Sequence, residues 1–234
     1  VHDYQLIYDG TRTNIYPRKL LKNARHQTIA AKNNSRVGSL WADKLNSRIN
    51  HPATLQALDL NLDRQNHLDS TLFKCQAFRI NCVHQNLQIL EKRANYSGSH
   101  FENDFCMRCT HNITEDEDHI WECEDTDNKA AEIHERGVEL FHKALEKLET
   151  TALSSRDPAN RALTALGITP RSIQNNPLYR SIVTNRATRV GLRLVKQIPG
   201  FKIHWLPLLS ASLTRSFWEI IWVPRTAQVQ RVQD

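Results

Sequence analysis

The chain has 234 residues, of which 40% are hydrophobic, and 31 Lys or Arg outnumber 25 Asp or Glu to leave a net charge of +6. That is enough apolar material for a core and enough length for one large domain or two small ones, yet no segment approaches the ~20 apolar residues of a membrane helix. Seven glycines in a chain rich in Leu, Arg, Gln and Asn disfavour a sandwich or barrel and favour helices.

In chain order, residues 4–16 read as a β-hairpin, with Asp9-Gly10 as a two-residue turn flanked by Tyr and Ile. Pro17 then opens a basic helix, PRKLLKNARHQTIAAK, because proline is tolerated at a first helical position. A second helix is predicted over 37–49, and His51-Pro52 breaks it. Residues 68–85 read as a core helix: Leu72, Cys75, Phe78 and Cys82 recur at steps of three and four. LQILEKR at 87–93 continues that helix or forms a short one of its own. An Asn, Ser and Gly loop leads to residue 103. An amphipathic helix follows over 129–149, with Ile133, Leu140, Phe141, Ala144 and Leu148 facing inward. Residues 154–177 read as a linker punctuated by Ser-Ser, Asp-Pro, Gly, Thr-Pro and Asn-Asn-Pro, with a short helix 159–166 ending at Gly167. A strong helix is predicted over 178–198. The last apolar segment holds Trp205, Trp218 and Trp222 and ends its run at Pro224. The spacing of Trp218 and Trp222 suits a core more than base stacking.

The most specific pattern lies in CMRCTHNITEDEDHIWEC, where Cys106, Cys109, His119 and Cys123 fall at C-x2-C-x9-H-x3-C. Three thiolates and one imidazole complete a tetrahedral structural zinc site with no open position. The short gap folds Cys106 and Cys109 onto one ion, and the three-residue gap puts His119 and Cys123 on one face of a helical turn. His111 is a rival fourth ligand, and His100 a more distant one. Cys75 and Cys82 are expected to be structural. An odd cysteine count, no signal peptide and no long apolar run point to a reducing intracellular compartment, nucleus or cytoplasm.

Charge divides the chain. Residues 1–50 hold nine basic against three acidic residues, and 151–234 hold twelve against three, whereas in 101–128 Arg108 stands alone against ten acids. Basic ends imply polyanion partners, while an acidic metal segment is not expected to press against phosphate. Arg186, Arg189, Arg193 and Lys196 step by three, four and three along the predicted helix, forming one cationic stripe beside an apolar stripe of Val183, Ala187, Val190 and Leu194.

The metal stretch resembles the reverse-transcriptase zinc-binding domain found near the C-terminus of non-LTR retrotransposon polyproteins. In that family a C-x-x-C turn is followed by an acidic element, then His, two or three hydrophobic or aromatic residues, and Cys. Here the run is EDED, His119, Ile120, Trp121, Glu122 and Cys123, and LQILEKR ending at Arg93 is similar to the family's L-x-x-R stretch. The resemblance covers residues 68–125, about a quarter of the chain. The N-terminal hairpin and PRKLLK helix are more loosely similar to the connector after the RNase H domain. The x9 gap is long for the pattern. The resemblance implies a nucleic-acid-binding tail with upstream reverse-transcriptase and RNase H domains as partners. The engine itself is missing: there is no Y-x-D-D, no cluster of carboxylates for Mg²⁺, no P-loop, no G-x-G-x-x-G and no G-x-S-x-G.

The chain is therefore expected to be a mostly α protein, with a zinc knuckle between helices and a short N-terminal β-hairpin. Its regions are a hairpin and basic connector (1–50), a helical zinc-binding domain (51–150) and a basic C-terminal helical region (151–234). It is expected to be non-catalytic and to bind RNA or DNA, with no membrane partner. The alternatives are a zinc-stabilised scaffold presenting an acidic protein-binding surface, and a fragment that acts only when joined to upstream catalytic domains. The initial Val1 fits a fragment or processed product.

Overall fold

Several helices start where the chain supplies a capping oxygen or a proline. The computed structural model describes residues 7–8, 11–12, 37–41, 44–45, 48–60, 70–95, 103–148, 157–198 and 202–233. These are mostly helical, and the chain divides into two units, 1–41 and 42–234. In the first unit, β1 (Ile7–Tyr8) pairs antiparallel with β2 (Thr11–Arg12), Ile7 opposite Arg12. The expected turn at Asp9-Gly10 and the basic helix from Pro17 lie outside the described residues. Residues 37–40 are helical, and Val37 and Trp41 are buried.

In the second unit Ile49 bridges Thr184, so the helix expected over 37–49 is short. The cause is local: the Asn50 side chain accepts from the Ala53 N–H at 3.1 Å, and Pro52 occupies the first turn. His51-Pro52 thus starts a helix, α1 (His51–Asp59), where a break alone was expected. Next come α2 (Ser70–Val83) and the short α3 (Leu90–Ala94). The metal segment carries two one-turn helices, α4 (His119–Glu122) and α5 (Glu124–Asn128), and leads into the long α6 (Ala130–Leu148). Ile133, Leu140, Phe141 and Ala144 are buried along α6 as its periodicity predicts.

The punctuated segment 154–177 is no free linker across its described part. It forms α7 (Asp157–Ala165), ended by Gly167 at φ +66, then 3-10 turns at Pro170–Ser172 and Pro177–Arg180. Ile168, Ile173, Leu178 and Tyr179 from this stretch are buried in the same cluster as Phe78 and Phe141. Helix 178–198 is also interrupted. Ser181 adopts a left-handed conformation at φ 60, and Thr184 caps the Ala187 N–H, so α8 covers only Asn185–Gln197.

Helix α9 (Trp205–Phe217) runs through the centre, with twelve of its thirteen residues buried. A helix buried all round must dispose of its polar side chains internally. Ser210 donates to Leu178 O at 2.8 Å, Ser212 to Leu208 O at 2.9 Å and Ser216 to Leu213 O at 2.8 Å. Helix α6 lies against it, and Gly137 makes the approach possible: a Cβ there would sit 2.8 Å from Leu213 Cδ2. Beyond α9 the chain widens into a π turn, Trp218–Trp222, and continues as α10 (Val223–Gln233). The Val223 N–H reaches back to Trp218 O. Pro224, which has no N–H to donate, follows directly, so it marks the irregular turn instead of a helix end. None of the described helices is long and apolar enough to cross a membrane.

Cys75 and Cys82 face this core at 6% and 3% exposure, and burial pushes the Cys82 thiol up. Replacing either with alanine is expected to cost about 1–3 kcal/mol in urea unfolding and to leave metal content unchanged. Loss of metal in Cys82→Ala alone would overturn the ligand assignment.

Candidate metal centre

The metal turn is closed by backbone pairing before any side chain acts. Cys106 N–H donates to Ile113 O at 2.8 Å, Glu115 N–H donates to Asp104 O at 2.8 Å, and Phe105 bridges Thr114. Asn112 takes a left-handed conformation, φ 51, which lets the chain reverse. Cys106 and Cys109 therefore sit at the mouth and tip of one tight loop. Across from it, the Asp116 carboxylate accepts from the N–H groups of Asp118 (3.0 Å) and His119 (2.6 Å). That cap orients α4, whose first residue is His119 and which Cys123 directly follows.

The donor atoms of Cys106, Cys109, His119 and Cys123 all lie within 4.8 Å of one another and can hold a metal ion. Cys106 Sγ stands 3.8 Å from Cys123 Sγ, and Cys109 Sγ stands 3.5 Å from His119 Nε2. Cys106, His119 and Cys123 are buried and Cys109 is half-buried. The hydrogen bond from Cys106 lowers the Cys123 thiol to about 7, with help from the nearby Arg108 guanidinium. The rival histidine points elsewhere: His111 Nε2 lies 3.1 Å from Glu124, and both side chains are more than half exposed. His100 lies outside the described residues.

Arg108, the lone cation of the segment, ties its two halves together. It donates to Thr126 Oγ1 at 3.0 Å and to Ile120 O at 3.1 Å, and it lies 3.6 Å from Asp125.

Within EDED, Glu115 and Glu117 turn inward while Asp116 stays exposed. Glu115 is fully buried and accepts from the Leu90 N–H at 3.1 Å and from Arg225 Nε at 3.1 and 3.3 Å, with Arg225 Nη2 also on it. Arg225, 2% exposed, also donates to Gln88 O at 2.9 Å. Glu117 accepts from the Leu87 N–H at 3.1 Å and from Lys92 Nζ at 2.5 Å, and burial raises its carboxyl pKa. Asp118 pairs with Lys44 at 2.7 Å and lies 3.7 Å from Arg180, whose guanidinium stacks over Trp121. Glu115, Glu117 and Asp118 thus each grip an amide or a cation from another part of the unit, while Asp116 caps its own turn. Gln228 adds a further tie from α10, donating to Met107 O at 3.0 Å. Arg180 and Arg225 escape a reading of the sequence because their partners stand far away in the chain, where no local spacing can signal them.

The cationic stripe is present on α8. Arg186, Arg189, Arg193 and Lys196 are all exposed, while Val183, Ala187 and Leu194 are buried and Val190 is half-buried. No described acid is ion-paired with Arg189, Arg193 or Lys196. Two apolar residues share the outer side, Leu192 at 53% and Val195 at 44% exposure. Of the late tryptophans, Trp205 and Trp218 are buried and Trp222 is half-buried against Phe78. In comparisons with known proteins, no family model, no curated protein and no solved structure matches this chain.

Proposed function

We propose that this chain is a nucleic-acid-binding module, of or derived from a non-LTR retrotransposon reverse-transcriptase protein, organised around a structural zinc ion. A tetrahedral zinc with sulfur ligands at about 2.3 Å and an imidazole at about 2.0–2.1 Å sets sulfurs about 3.8 Å apart and sulfur and nitrogen about 3.5–3.6 Å apart. The observed 3.8 and 3.5 Å match that frame. Four protein donors leave no position for substrate, which favours a structural role over a catalytic one.

The observation that carries the binding reading is the exposed cation row on α8, which is anchored through Ala187 and Leu194 and lies outside the acidic metal segment. Cations held on a docked helix can follow phosphates without reading bases. Replacing Arg186, Arg189, Arg193 and Lys196 together with glutamine is expected to weaken RNA and DNA binding similarly across sequences. The log–log salt slope should flatten by up to about 3–3.5, at ~0.7–0.9 for each of four phosphates no longer neutralised. Metal content and melting temperature should not change. A titration over several salt concentrations checks this, and wild-type affinity and slope in the variant would make the row an ordinary solvated face. The control variant should be Glu122→Gln, because Glu122 is exposed, whereas Glu115 and Asp116 hold the turn together.

The scaffold alternative draws on a different observation. Leu192 and Val195 stand exposed on the cationic helix, where they would suit a protein partner. Retention of a partner by the glutamine variant, with loss in Leu192→Ser, would favour it. The resemblance further predicts a reading frame upstream that encodes polymerase and RNase H domains.

A further inference from the structure

On the unit's surface, α2, the residues before and at the end of α3, and the π turn with α10 enclose a groove of about 540 Å³. Its wall is aromatic: Trp218 and Trp222 line it, and the π turn places them on the same side. Trp222 is fixed there by Phe78, at 5.1 Å between ring centroids, and by the Arg225 guanidinium 4.8 Å from its ring centre. The rim carries two cations, Lys74 and Arg93, and the amides Asn81, Gln88 and Gln230, with no carboxylate among the described lining residues.

We propose that this groove receives a nucleotide of a single-stranded nucleic acid. The aromatic wall would lie against the base, the amides would meet its edge, and Lys74 and Arg93 would meet flanking phosphates. Charge complementarity selects this occupant: a rim whose described residues include two cations and no carboxylate attracts a polyanion, and carboxamides can both donate and accept toward a base edge. An apolar wall of indole suits any base face, so the site needs no particular sequence. A duplex keeps its bases stacked inside and offers nothing to such a wall, whereas the open row of cations on α8 serves duplex and single strand alike. This inference rests on the nucleic-acid reading above and assigns it a second, strand-selective surface.

The test uses the full zinc-loaded chain with a labelled mixed-sequence single-stranded oligonucleotide and the corresponding duplex. Ala77 and Ala227 line the groove and are exposed, so Ala77→Glu and Ala227→Glu fill it with negative charge without touching the core. The double variant should keep its zinc and melting temperature, lose about tenfold or more in single-strand affinity, and keep duplex affinity. Unchanged single-strand affinity in this variant would overturn the groove while leaving the α8 row intact. Loss in the groove variant with no loss in the α8 glutamine variant would remove the row and keep the groove. Failure of the wild-type chain to bind either probe would sink both. If the groove variant instead abolishes self-association in sedimentation and leaves strand binding unaltered, the groove is a protein contact and the inference fails.

Discussion

Cys106→Ser and Cys123→Ser are expected to lose the bound zinc and to lower the melting temperature more than any other pair of single substitutions in the chain. Serine keeps the shape of cysteine but cannot supply a thiolate, and a site with three remaining donors is no longer a closed tetrahedron. Structural zinc contributes about 10–16 kcal/mol of apparent binding energy in small zinc-finger peptides. That is as large as the about 5–15 kcal/mol by which a whole domain is stable. Here the metal turn is also tied to the rest of the unit by Arg108, Arg225 and Gln228. Loss of zinc should therefore first release residues 105–123, seen as protease cleavage in that segment, and then lower global stability. Metal analysis of protein purified without chelator checks the stoichiometry: one zinc in wild type, in His111→Ala and in Cys75→Ala, and none in His119→Ala or either serine variant. One zinc per chain persisting in Cys106→Ser would refute the centre as assigned.

The second large effect belongs to the buried pair. Arg225→Met is expected to cost about 3–5 kcal/mol, because it strands a buried carboxylate with no cation. Glu115→Gln should cost a comparable amount, since the arginine would then be the uncompensated charge. The double variant Arg225→Met, Glu115→Met should recover much of the loss, as apolar replacements of buried ion pairs often do. It should not recover all of it, because the Leu90 N–H also loses its acceptor. Urea unfolding of the four proteins with zinc present gives the coupling directly. Single variants within about 0.5 kcal/mol of wild type would mean the pair is not desolvated as its burial indicates. The pair joins the metal turn, α3 and α10 at one point, so Arg225→Met should also weaken zinc retention against a chelator.

The helices and the donor set were legible in the sequence because both depend on short spacings. A 3.6-residue period marks α2 and α6 whatever they pack against, and Gly167 ends α7 through its own backbone freedom. The pairs Cys106/Cys109 and His119/Cys123 are each close enough in sequence that a turn or a helical step brings their donors together. The caps at Asn50 and Thr184 are equally local, and they move two helix boundaries from where periodicity alone puts them.

What spacing could not decide was which charges stay on the surface. EDED looks acidic and solvated as a string, yet Glu115 meets Arg225 across 110 residues and Glu117 meets Lys92 across 25. Only the tertiary structure brings such partners into reach, and burial then turns a surface charge into an internal tie. The same holds for the serines of α9, for the punctuated segment that joined the core, and for the choice of His119 over His111. Local chain chemistry determined that there would be helices and four donors. Long-range packing determined which donor faces inward and which cations stay exposed, because exposure is a property of the assembled core and not of any one segment.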